Sequence, residues 1–397
     1  MAEAARRWSW RSWLPDMSAA YSRFPLAVML AAFLTIYQLT SSDLADTSEN
    51  RDKIVGALAA SFLWVVAVDF FSAARDQSRT VRGVAWVLGI AAIALLFQYQ
   101  WDVWLWTVPL FAALTFAVGL SGYAAGPERN AAFWLFNHRL WLAALLALLG
   151  AVMFGAGLST ILETLNLLFG LYTPGKWYEY IWTVALGFLA PVAWLALAPT
   201  SFTDRINDGE QTEFTTRAVS AIVKFVLVPL LLVYTAILYA YAIKIGLART
   251  LPRGTLGSMV VGYLLTGAAT LLLAYPIRES GGLLVRLFWR NWMWLTLLPV
   301  LLLFIAISTR IKAYGLTEMR YMIVLVGVWT MILAGLRVAR PADFDLRLAP
   351  GALAVLLLIS SFGPWGAIYT SLLSQKAQLQ AILEMRGLLV NGKIPGT

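Results

Sequence analysis

Leu140-Trp-Leu-Ala-Ala-Leu-Leu-Ala-Leu-Leu-Gly-Ala-Val-Met-Phe-Gly-Ala-Gly-Leu158 runs for 19 residues without a charge. At about 1.5 Å per residue, a helix of this length rises about 28 Å, close to the thickness of a bilayer core. The apolar stretch continues to Leu171. It reads as one tilted helix or as a helix followed by a re-entrant piece. Comparable runs recur near residues 24–40, 54–74, 81–99, 103–125, 177–199, 218–246, 257–277, 292–309, 319–338 and 351–373.

Composition points the same way. Of the 397 residues, 60% are hydrophobic and 13% charged, against about 25% charged in soluble domains. Too few polar residues remain for a separate soluble domain. The sequence therefore predicts an all-α, polytopic integral membrane bundle of about eleven transmembrane helices, within a range of ten to twelve. Residues 1–23 read as a cytoplasmic interfacial leader, 24–373 as a single transmembrane domain, and 374–397 as an amphipathic tail.

The leader interleaves Arg6, Arg7 and Arg11 with Trp8, Trp10 and Trp13, a mix suited to the headgroup layer. No small-residue cleavage site follows it, so residues 24–40 are expected to be retained as a first span. Orientation follows the basic loops. Arg23, Arg75, Arg79, Arg82, Arg129 and Arg139 join the leader arginines on one side, against Arg51, Lys53 and Lys176 on the other. That predicts a cytoplasmic N-terminus and, for eleven spans, a periplasmic C-terminus.

Two shorter amphipathic helices are expected. Leu372, Leu379, Ile382, Leu383 and Leu389 share one helical face in Ser371–Leu389. Ser280–Asn291 sets Arg286 and Arg290 beside Phe288 and Trp289, as an interfacial segment before the ninth span.

Several chemistries are excluded. The chain has no cysteine and one histidine, His138, which removes disulfides, thiolate metal sites and clustered histidine ligands. Phosphate-binding loops, nucleophile elbows and zinc-protease motifs are missing. The acids of residues 204–213 do not follow a calcium-loop pattern and read as a solvated loop. No catalytic residue, cofactor or metal is expected. The net charge of +9 suits anionic lipid, so membrane lipids are the expected partners, a protein partner is allowed, and nucleic acid is not expected.

The densest polar cluster near the membrane runs from Arg310 to Tyr321 and includes Tyr314, Gly315, Thr317, Glu318 and Arg320. Thr317 is placed to cap a helix beginning at Glu318, whose carboxylate suits that positive end. A well-made interhelical turn accounts for this pattern. The sharper alternative is a ligand or coupling site. Tyr234, Tyr241 and Lys244 lie near one helical face, and Arg253 follows in the next turn. With both clusters on one side, Tyr241, Lys244, Arg253, Arg310, Tyr314, Glu318 and Arg320 would line a basic, aromatic pocket for an anion or headgroup.

The stretches Tyr239–Lys244, Leu251–Gly254, Arg310-Ile311 and Tyr314-Gly-Leu-Thr-Glu-x-Arg-Tyr321, with Trp329 and the tail residues Ser374-Gln375, Leu379 and Gly387-Leu-Leu389, resemble the bacterial membrane family called domain of unknown function 4153. The resemblance covers roughly the second half. It implies a bacterial inner-membrane protein and brings no active site with it. Relatives extend further beyond the tail, so a function housed there would lie outside this chain.

Asp69 sits within the second span. A carboxylate at that depth is expensive unless it faces other helices or water. It is the candidate intramembrane titrating residue, with local pairing to Arg75 as the alternative. Glu163, Asn166 and Glu179 are similarly ambiguous. Three functional classes remain open. The first is a non-enzymatic accessory, sensor or scaffold. The second is a transporter or channel for an anion, lipid or amphiphile. The third is an enzyme acting on lipid-linked substrates, with Glu318 as base.

Overall fold

The computed structural model describes residues 17–41, 48–99, 103–122, 129–170, 174–202, 217–248, 256–339 and 344–386, and is all-α, with no strand among them. The acidic loop 204–213, most of the leader, Arg253 and the last tail residues lie outside the described residues. The helices are α1 (Met17–Arg23), α2 (Pro25–Ser41), α3 (Ser48–Ala74), α4 (Arg79–Tyr99), α5 (Val103–Ser121), α6 (Arg129–Phe169) and α7 (Lys176–Leu197). They continue with α8 (Arg217–Leu247), α9 (Leu256–Ala274), α10 (Leu283–Leu295), α11 (Leu297–Tyr314), α12 (Glu318–Ala339), α13 (Leu348–Ser360) and α14 (Ala367–Met385).

Eight described helical segments are long and apolar enough to cross a bilayer. The remaining three apolar stretches, Pro25–Ser41, Trp106–Ser121 and Leu348–Ser360, are shorter. The 13 residues of α13 rise only about 20 Å, short of the roughly 30 Å core. The protein is thus an all-α polytopic helical bundle.

The helices form two compact units. The first contains α1–α4, α6, α7 and the end of α5; the second contains the rest of α5 and α8–α14.

In the first unit α3 and α4 form a close hairpin. Gly89 makes the approach possible, because a Cβ there would stand 1.9 Å from Trp64 Nε1. The Trp64 indole donates instead to the Ala85 carbonyl at 2.9 Å. About two helical turns away, Phe97 lies over Gly56 in the same manner. Half of the apolar window of α3 is buried but only 11% of that of α4, so α3 is central and α4 is an outer wall. Phe24, Phe70 and Phe136 meet edge to face behind the hairpin, with centroids 5.1 and 5.3 Å apart.

The long apolar segment is one helix: α6 has 41 residues, about 61 Å, twice the bilayer core. Its start buries Phe133, Trp134, Leu135 and Phe136, which shows why the helix begins before the apolar run. In α7 the Ala190 N–H reaches back five residues to Ala185, and in α8 the Val228 N–H does the same to Val223. Each widened turn stands just before a proline, Pro191 or Pro229. A proline ring collides with the carbonyl four residues back, and the extra residue per turn relieves that collision.

The second unit packs around Trp292, Phe288, Leu264, Leu303 and Leu333, all nearly inaccessible. The Thr235 and Tyr263 hydroxyls pair at 2.9 Å within this core. The stretch read as an interfacial segment, Ser280–Asn291, falls mostly in α10, which buries Phe288 and Trp292 and runs into α11 with only a break at Thr296. Pro299 has no N–H for the Leu295 carbonyl, and the Tyr239 hydroxyl donates to that oxygen at 3.3 Å.

The stretch 351–373, read as one span, is broken. Between α13 and α14 lie Gly363, at φ +81°, and Pro364, which cannot continue a helix. The amphipathic helix accordingly begins at Ala367 rather than Ser371.

Candidate functional site

The Arg310–Tyr321 cluster is a turn tied to α14. Gly315 adopts φ +71°, a conformation that glycine takes without strain. The turn strands carbonyls at the end of α11, which need donors. Arg320 supplies two, donating to the Tyr314 carbonyl at 3.2 Å and to that of Gly315. Gln375 of α14 donates to the Tyr314 and Leu316 carbonyls at 3.1 and 2.9 Å. Gln378 reaches the Ala313 carbonyl at 3.3 Å, and the Leu316 N–H donates to Ser374 Oγ at 2.7 Å. Thr317 Oγ1 caps α12 by accepting from the Arg320 N–H at 3.4 Å, as its position predicts. Tyr321 OH donates to the Trp365 carbonyl at 2.9 Å, tying α12 to the start of α14.

This arrangement turns the amphipathicity of α14 inside out. Its packed side is polar, carrying Ser374, Gln375 and Gln378. Leu372, Leu373, Leu379 and Met385 are exposed. The stranded carbonyls explain the inversion: an apolar face cannot satisfy them. Replacing Ser374 and Gln375 together by alanine removes three of these bonds, each worth about 1 kcal/mol net. Amide exchange across α14 should rise by tenfold or more, while α11 keeps its protection. Unchanged exchange would show that α14 is held by something else.

The other members of the expected pocket stand differently. Tyr241 is half-buried against the core of the second unit, and Lys244 is exposed. Tyr314 is 65% exposed, with the Arg320 guanidinium 5.7 Å from its ring. Among the described residues no hydrogen bond or ion pair joins Tyr241 or Lys244 to Arg310, Tyr314, Glu318 or Arg320. Glu318 occupies the first turn of α12.

Asp69 has a partner that the sequence reading missed. Its side chain is 2% exposed, and Arg82 Nε stands 3.8 Å from Oδ1. The expected local partner, Arg75, instead lies over the Phe71 ring at 3.8 Å and reaches the Ser121 carbonyl at 3.5 Å. The hairpin supplies the reason. Asp69 and Arg82 stand on facing helices, at similar distances from the turn that joins α3 to α4, and this symmetry about residues 75–78 was the signal available in the sequence. The Arg82 guanidinium lies 4.8 Å from the Trp86 ring, and the Trp86 indole also neighbours the carboxylate. Neither Asp69 oxygen has a hydrogen bond of good geometry, nor does Arg82 Nε or Trp86 Nε1. The pair is therefore close but not closed.

Glu163 accepts from the Tyr178 hydroxyl at 2.6 Å in an exposed contact between α6 and α7. Among the described residues no three His, Cys, Asp or Glu side chains gather as metal ligands.

Residues 26–386 match the family described as Domain of unknown function (DUF4153). The chain is also 32% identical over 140 residues to the Uncharacterized protein PM1469 of Pasteurella multocida. That match covers 34% of this chain and 22% of the relative, so the chain spans a minor part of that protein's length. No solved structure matches the chain.

Proposed function

The chain belongs to the DUF4153 family, and on that premise we propose a multi-pass protein of the bacterial inner membrane that acts as a non-enzymatic accessory, sensor or scaffold. The reading takes eleven crossings, with the basic residues of the early loops supporting a cytoplasmic N-terminus and the odd count then giving a periplasmic C-terminus. The observation that carries the reading is the seating of α14. The residue types best suited to chemistry, Arg320 and its neighbours, are spent on holding the α11–α12 turn and α14 together. The outward apolar face of α14 is then available to a protein partner or to lipid.

Native mass spectrometry on protein released gently from its own membrane tests this. A protein subunit held at fixed stoichiometry, and lost in a Leu372→Ser, Leu379→Ser variant, is the expected result. A bound lipid or small anion lost instead in an Arg320→Ala, Glu318→Gln variant would overturn it in favour of transport or lipid chemistry.

A transporter reading is favoured by one observation, the buried and incompletely bonded Asp69 beside Arg82. Intramembrane ionisable groups of this kind serve coupling in transporters. Solute flux in proteoliposomes that is the same for wild type and Asp69→Asn would remove that role.

A further inference from the structure

A polar cleft of about 480 Å³ opens where α3 ends and α4 begins, lined by Ser22, Ser72, Asp76, Gln77, Arg79 and Arg82. Its volume falls within the usual range for small-molecule sites, roughly 300–1,000 Å³. It lies at the shared end of two membrane-length helices, the level at which headgroups sit.

The charges in the cleft are of both signs. Arg79 and Arg82 are cations, and Asp76 is an anion. Asp76 holds φ +50°, an uncommon conformation outside glycine and one that Asp and Asn tolerate best. Neither Asp76 nor Arg79 forms an ion pair with a described residue. Arg82 is directed by what lies behind it. Asp69 draws its Nε inward, and the Trp86 ring supports the guanidinium plane. The side chain remains 29% exposed. Its terminal nitrogens make no hydrogen bond within the described structure, although an arginine fork suits two oxygens of one phosphate. Buried Asp69 is thus the counter-charge that keeps an arginine at the rim of the apolar region.

We propose that this cleft binds the zwitterionic headgroup of a phospholipid, with its phosphate at Arg79 and Arg82 and its primary ammonium at Asp76. Ser22, Ser72 and Gln77 add neutral hydrogen-bonding groups around it. The acyl chains have an apolar path beside it: Val84, Val87 and Leu88 of α4 are all more than half exposed. A free phosphate would use the arginines but would leave Asp76 facing like charge, which favours the lipid. The site lies wholly within the first unit and does not depend on the role given to α14.

The test is native mass spectrometry of the full chain in nanodiscs containing equal parts of phosphatidylethanolamine, phosphatidylglycerol and phosphatidylcholine. Wild type should retain phosphatidylethanolamine about tenfold over the other two, since one charge-assisted contact is worth on the order of 1.4 kcal/mol. Asp76→Asn should abolish the preference over phosphatidylglycerol, which has no ammonium. Arg79→Gln should reduce retention of all three. Both changed residues are cleft-lining and outside the hydrophobic core, so unaltered thermal midpoints are expected alongside. Equal retention of all headgroups in wild type, unchanged selectivity in Asp76→Asn, or unchanged retention in Arg79→Gln would overturn the proposal. Displacement of the lipid by inorganic phosphate as readily as by soluble phosphoethanolamine would overturn the lipid assignment and mark a free-anion site.

Discussion

Arg82→Ala should destabilise the protein by about 1–3 kcal/mol, the cost of leaving a buried acceptor without its partner, because the Arg82 side chain is itself 29% exposed. The loss is not mainly the attraction across 3.8 Å. It is the cost of leaving the Asp69 carboxylate without a counter-charge where its side chain is 2% exposed. The double variant Asp69→Leu, Arg82→Leu should therefore recover most of the loss, because it removes the buried carboxylate together with its partner. Thermal or denaturant unfolding in lipid-like detergent would measure the cycle. If the effects of Asp69→Leu and Arg82→Leu simply add, the two side chains do not act as a pair.

Gly267→Val should be the most damaging single small-to-large change in the second unit. A Cβ at this position would stand 2.2 Å from the Trp292 ring, and Trp292 is 1% exposed, so the ring has nowhere to go. Overpacking of this kind costs about 1–3 kcal/mol, and more where nothing can move. Trp292→Ala should cost about 3–5 kcal/mol through the cavity it leaves. Combining the two exchanges volume between neighbours and should cost less than their sum. Gly262→Ala is the control on the same helix. Nothing lies within 4 Å of its added Cβ, so it should be neutral or stabilising by about 0.5–1 kcal/mol. Equal shifts in unfolding midpoint for Gly262→Ala and Gly267→Val would mean that Trp292 does not pack against Gly267.

The candidate sites were legible in part. The Thr317 cap and the turn at Gly315 follow from local chemistry, and both appear at the expected residues. That Arg320 folds back onto the Tyr314 and Gly315 carbonyls was not legible. A guanidinium serves a ligand and a backbone carbonyl equally well, and sequence does not say which is nearer. Asp69 was recognisable by its cost, whereas Arg82 was hidden because its pairing crosses the hairpin instead of following one helix.

What the sequence alone determined is the class of molecule. Runs such as Leu140–Leu158 have one low-energy state in a bilayer, a helix with its backbone bonds closed internally. Most helix limits also follow from local residues. Tertiary structure decided the partners. Gly363 and Pro364 end α13 after 13 residues, but only packing shows that α14 then turns its glutamines inward to the end of α11. The physical reason is that hydrophobicity is nondirectional: it places residues in lipid or core without naming a neighbour. Hydrogen bonds, ion pairs and the close approach of Trp to Gly are directional, and they exist only once distant segments have met.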